Sequence, residues 1–152
     1  MPDNFATSES HYRLYIKEIQ YWVYTFGLYG WEVNFFHEQW DNEARANIRY
    51  NIADRSASFN LSLLWDEEPT ELEICRSSFH EACELLLGKL SNLAFDGAPF
   101  SMRGVIVGYT HEVIGILEKM IWKPYWRKRK SVWETVPSSV KEIGVVNNLK
   151  SA

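Results

Sequence analysis

Two periodicities divide the chain. Over residues 12–26 apolar side chains return every three or four positions (Tyr12, Tyr15, Ile16, Ile19, Trp22, Val23 and Phe26), which predicts a helix with a broad aromatic stripe. Ser8 or Ser10 is placed to cap its start, and Gly27 and Gly30 stop it. A stripe of this width marks a helix lying on a sheet rather than a platform on which bases stack. From Trp31 the period becomes two. Trp31, Val33 and Phe35 alternate with Glu32 and Asn34, and Ala44, Ala46, Ile48, Tyr50 and Ile52 oppose Arg45, Asn47, Arg49 and Asn51. After a turn at Ala53-Asp54-Arg55-Ser56, Ala57, Phe59, Leu61 and Leu63 oppose Ser58, Asn60 and Ser62. This alternation predicts three strands with one buried and one polar face, and the short connections favour an antiparallel meander.

Asp66-Glu67-Glu68-Pro69-Thr70 is an acidic loop, with Pro69 or Thr70 where a second helix begins. That helix is expected to reach about Ala94, with Cys75, Phe79, Ala82, Cys83, Leu86, Leu90 and Leu93 along one apolar side. Gly and Pro predict a loop over residues 95–102. Residues 103–109 are ambiguous, because Val105-Ile106-Val107 favours strand while the flanking glycines favour neither state. A last helix starts near Thr110, carries Val113, Ile114, Leu117, Met120 and Ile121, and ends before Pro124. The expected organisation is one α+β domain over residues 8–126, followed over 127–152 by a basic segment and a loosely held tail.

The chain has 152 residues, enough for one self-sufficient core. Its 15% aromatic content argues for a well-filled core or an aromatic-lined groove, and a formal net charge of -4 gives no general attraction to nucleic acid or anionic lipid. Cys75 and Cys83 stand eight positions apart on one predicted helix, about 12 Å, too far for a disulfide. They read as small buried hydrophobes in a reducing compartment. No stretch is long and apolar enough to span a membrane, and Met1-Pro2-Asp3-Asn4 lacks the features of a signal peptide. A soluble cytoplasmic protein is the expectation.

The candidate chemistry sits in the second helix. Phe79-His80-Glu81-Ala82-Cys83-Glu84 is a His-Glu-x-x-Glu pattern, and residues four apart share a helix face, so His80 and Glu84 can grip one metal ion. Glu81, on the next flank, is placed to activate a water. Hydrolytic zinc sites take a third protein ligand and keep one position open. His111 is the better donor for that place, with its neighbour Glu112 as the alternative or as an acceptor that orients a ligand imidazole. His37 and His11 are weaker candidates. The ordinary alternative is that a His–Glu pair four apart only solvates a helix face.

The order helix, three strands, helix with His-Glu-x-x-acceptor and a further helix resembles the small zincin-like metallopeptidases, including the SprT-like group and short phage-encoded metallopeptidase-like proteins. The resemblance rests on Tyr21-Trp22, Gly30-Trp31-Glu32-Val33, the run Phe79 through Leu86, and His111-Glu112-Val113-Ile114 with Leu117-Glu118. It implies a zincin-like core, metal ligands at His80 and Glu84, an acid/base at Glu81, a third ligand at His111 or Glu112, a protein or peptide substrate and, for a phage protein, location in the host cytoplasm. The chain departs from the family at Glu84, where zincins carry a second His. A carboxylate there adds negative charge and admits a harder divalent ion in place of zinc.

Two rival functions remain. One is a non-catalytic interaction protein that kept the fold. The other is nucleic-acid binding through residues 122–130, where Lys123, Arg127, Lys128, Arg129 and Lys130 interleave with Trp122, Tyr125 and Trp126. A charge run after a helix is ordinarily a solvated end favourable to the helix dipole. Under the peptidase reading, Asn47, Arg49 and Asn51 mark a polar sheet edge that could offer backbone groups to an extended substrate.

Overall fold

The computed structural model describes residues 4–40, 44–129 and 145–146. Lys130 and most of the predicted C-terminal tail therefore lie outside the described residues. The architecture is α+β. A short strand β1 (Phe5–Ala6) leads into helix α1 (Glu9–Thr25), followed by strands β2 (Glu32–His37), β3 (Ala46–Asn51), β4 (Ser56–Leu61) and β5 (Leu64–Trp65). Helix α2 (Glu71–Gly97) and helix α3 (Phe100–Leu117) come next. A π-helical turn (Glu118–Trp122) then runs into α4 (Lys123–Arg127), with strand β6 (Val145–Val146) last.

Ser8 is the cap of α1. Its hydroxyl accepts from the His11 amide at 3.2 Å, and His11 Nδ1 accepts from the Ser8 amide at 3.1 Å, so two otherwise unpaired backbone donors are satisfied together. Gly27 ends the helix at φ +70°, a conformation a β-carbon would strain. The predicted stripe faces inward: Tyr12, Tyr15, Ile19 and Trp22 are buried.

The sheet corrects the predicted meander. Its order is β3-β4-β2-β6. β3 and β4 form the expected antiparallel hairpin, but β2 runs parallel to β4, in register from Glu32 opposite Ser56 to His37 opposite Leu61. β2 and β3, consecutive along the chain, stand on either side of β4, which places β4 in the interior of the sheet. The burial of β4 fits that place, since Ala57, Phe59, Asn60 and Leu61 are all buried. Asn60 is tolerated there because its amide side chain donates to the Glu38 carbonyl and accepts from the Glu38 amide, both at 3.1 Å.

The predicted loop is also corrected, and the ambiguous segment proves helical. α2 continues to Gly97, the chain reverses over Ala98 and Pro99, and α3 begins at Phe100, with the Met102 amide donating to the Pro99 carbonyl at 2.9 Å. A strand over residues 103–109 would need a sheet edge beside it, whereas a helix satisfies its backbone groups locally. Nor does Pro124 end the last helix. Its ring obstructs the preceding turn, and the wider π-helical turn absorbs that before α4.

α2 forms the wall between two cores. On one side Ile74 and Leu85 join Tyr15, Ile19, Phe35, Phe59, Leu61 and Trp65 between helices and sheet. On the other, Cys75, Phe79, Ala82 and Cys83 pack with Trp22, Ile114 and Trp122. Both cysteines are free and buried, as anticipated.

Candidate metal centre

Thr70 starts α2, its hydroxyl accepting from the Glu73 amide at 3.3 Å. With both of its flanks packed, the middle of this helix leaves one face toward α3, and His80 and Glu84 share it. His111 enters from α3. His80 Nε2 stands 3.5 Å from Glu84 Oε1, and His111 Nε2 stands 3.3 Å from the same oxygen. The imidazole centroids are 5.4 Å apart, and one donor atom from each of the three residues lies within 4.8 Å of the others.

These spacings test whether a metal fits. On a tetrahedral ion with bonds of about 2.1 Å, neighbouring donors stand about 3.4 Å apart. The two measured separations bracket that value, and the third pair, between the imidazoles, closes to within 4.8 Å. The donor types also fit: two imidazoles and one carboxylate are a set used by hydrolytic zinc. All three side chains retain access to solvent.

Hydrogen bonding to the Glu84 carboxylate raises the His80 pKa against the opposing effect of burial, with the charges of Glu81 and Glu84 adding to the rise. Burial by itself would raise Glu84, but the hydrogen bonds and charges of His80 and His111 outweigh it and hold this carboxyl below its ordinary range. Glu81 is the opposite case. It is buried, and burial together with the neighbouring Glu84 charge pushes its carboxyl well up. Two carboxyls three residues apart are thus driven in opposite directions, as in sites that divide ligation from proton transfer.

Two hollows flank the group. A cleft of about 280 Å³ is lined by Arg45, Glu73, Arg76, Ser77, His80 and Glu81, with Glu118 at its wall. A smaller one of about 110 Å³ is lined by Tyr50, Glu84, Phe95, Val107 and His111 among others. Gly88 lets α2 pass close to the sheet here, since a β-carbon on it would stand 3.0 Å from the Tyr50 ring.

Of the residues singled out from sequence, His80, Glu84 and His111 come together, Glu81 lines the adjoining cleft, and Glu112 is outside the group. His11 serves the α1 cap. His37 stacks on Tyr12 at 4.9 Å, and its Nε2 is 2.7 Å from the Thr7 hydroxyl. The residue that sequence reasoning missed is Glu118, which stands beside a candidate ligand imidazole where Glu112 does not. Its Oε1 lies 3.5 Å from His80 Nδ1, while Oε2 accepts from Arg76 at 3.2 and 3.3 Å. The signal was available: Glu118 lies seven positions after His111, two helical turns along the same face.

The aromatics of the basic segment point largely into the protein. Trp122 is buried, and Tyr125 stacks on Tyr21 at 5.1 Å. The Tyr125 hydroxyl donates to both oxygens of buried Glu18 at 3.0 Å. Arg129 pairs with Glu18 at 3.2 Å and with Glu71 at 2.6 Å. Lys123, Arg127 and Lys128 are exposed.

No protein-family model matches this chain, and no curated protein or solved structure was found similar to it.

Proposed function

We propose that this protein is a metal-dependent hydrolase of peptide bonds on a zincin-like core, with zinc held by His80, Glu84 and His111. The observation that carries the proposal is the convergence of these three donors from two helices, with both imidazoles within 3.5 Å of one Glu84 oxygen and all three donors within 4.8 Å of one another. Glu84 then ceases to be an anomaly. His111 supplies the second imidazole, so the set still contains two neutral ligands and one carboxylate, with carboxylate and imidazole interchanged along the chain. A harder divalent ion would find one oxygen donor against two imidazoles, which favours zinc.

A bound zinc ion would supply Lewis acidity to the attacking water and the scissile carbonyl. The chain's own residues do the rest. Glu118 orients His80 through Nδ1, keeping Nε2 directed at the group, and Arg76 holds Glu118 in turn. Glu81, whose carboxyl burial makes more basic than usual, accepts the proton of the attacking water and returns it to the departing amine. β3 is the end strand of the sheet, and its outer edge, bearing Asn47, Arg49 and Asn51, would align an extended substrate beside the cleft.

Metal analysis of the purified protein tests this. One zinc per chain is expected in the wild type and none in His80→Ala, while Glu81→Gln should retain zinc and lose peptide cleavage. A folded wild-type protein that takes up no zinc on titration would sink the reading.

A further inference from the structure

The apolar surface of this protein is unevenly distributed. Among the described residues, seventeen large hydrophobic side chains are exposed; five are scattered, and twelve fall between Leu86 and Ile121. α3 buries only Ile114 of its eighteen residues. It exposes Met102, Val105, Tyr109, Val113 and Ile116 at three- and four-residue spacing, the pattern of a helix in a bundle. On α2, Leu86, Leu90 and Leu93 continue the same pattern. Between the two helices runs an open groove of about 280 Å³, lined by Leu87, Leu90, Ala94, Ile106, Tyr109 and Val113 among others.

We propose that this two-helix face is a homodimer interface, on which the same face of a second copy packs to complete a four-helix bundle. Area is the first argument. The eight side chains just named on α2 and α3, each more than a third exposed, present on the order of 800 Å². That exceeds the largest patch of an ordinary monomer, about 300–600 Å², and matches the roughly 800 Å² each partner contributes to a stable complex. Charge is the second argument. In residues 85–117 the unambiguously charged side chains are Lys89, Asp96, Arg103 and Glu112, two of each sign, against -4 for the whole chain. A two-fold axis brings identical faces together, so a balanced face avoids the like-charge repulsion that would oppose self-association. A strongly charged partner would find no complement here.

The mass of the full chain in solution, measured by light scattering or sedimentation at micromolar concentration, tests this without reference to metal. Twice the 17.8 kDa chain mass is expected. Leu90→Glu and Tyr109→Glu, at positions 69% and 66% exposed, should leave the fold intact by circular dichroism and raise the dimer dissociation constant about 30-fold or more. Tyr29→Glu, an exposed aromatic outside this face, should leave it unchanged. A wild-type monomer overturns the proposal, whether the face is then covered by the chain's own C-terminal segment or by a different partner. A dimer that survives the Leu90→Glu, Tyr109→Glu double substitution overturns it equally.

Discussion

Along α2, apolar residues recur at helical spacing from Cys75 to Leu93, yet Cys75, Phe79 and Cys83 are fully buried while Leu90 and Leu93 are 69% and 70% exposed. The pattern is the same in both halves; the surroundings differ. The first half is wedged between the sheet and α1 on one side and Trp22, Ile114 and Trp122 on the other. Beyond Gly88, where the helix passes Tyr50, α2 buries no residue, and its Leu90 and Ala94 line an open groove against α3. Periodicity thus states which residues can be buried together, and the number of neighbouring elements decides which of them are. The candidate metal group lies at this boundary, with two ligands on the well-packed half of α2 and the third on a helix that buries one residue.

The sharpest way to break the comparison is to truncate one apolar residue in each half. Phe79 lies edge-to-face on Trp22 at 4.7 Å with no exposed surface, and Phe79→Ala should cost about 3–5 kcal/mol in urea unfolding. Leu90→Ala should change stability by no more than about 0.5 kcal/mol, measured in the Tyr109→Glu chain so that association does not enter. Equal losses would mean that both halves are equally packed.

Glycines give a finer contrast. A β-carbon at Gly88 would meet the Tyr50 ring at 3.0 Å, whereas one at Gly104 of α3 would meet nothing within 4 Å. Gly88→Ala should therefore destabilise by about 1–3 kcal/mol through overpacking. Gly104→Ala should stabilise by up to about 1 kcal/mol, the helix preference of alanine over glycine. Thermal melts of the two variants moving in the same direction would contradict the difference in packing.

The smallest expected effect is on pH dependence at the boundary itself. His80 has a raised pKa, so in the metal-free protein its contribution to stability is complete below the unfolded value of about 6.5 and is lost as pH rises through the raised value. The same proton competes with metal, so zinc affinity should climb as pH rises across that window. Glu84→Gln, which removes the first cause of the shift, should flatten the stability profile. A profile unchanged by that substitution would separate His80 from Glu84.

Much of the local structure was legible. A serine cap at Ser8 or Ser10, Gly27 as stop, the β3–β4 hairpin and the start of α2 at Pro69 or Thr70 all depend on residues close in sequence, and the structure selects Ser8 and Thr70. The parallel pairing of β2 with β4 was not legible, because alternation reveals which face of a strand is buried and not which strand lies beside it. The Ala98–Pro99 reversal was hidden for a related reason: the Gly and Pro that suggest a long loop serve equally well in a two-residue turn. At the site, His80 and Glu84 were readable as a pair because four residues of helix fix their relation. The choice between His111 and Glu112 was not. Adjacent helical positions differ by about 100°, and only the orientation of α3 against α2 turns one inward.

The sequence alone determined the helical and strand periods, the caps, the burial of the two cysteines and the shared face of His80 and Glu84, all consequences of short-range geometry. The tertiary structure decided the order and direction of the strands, the approach of His111 to His80 and Glu84, the contact of Glu118 with His80 and the exposure of the α2–α3 face. Each of these depends on how elements distant along the chain are set against one another, a relation that no local spacing encodes.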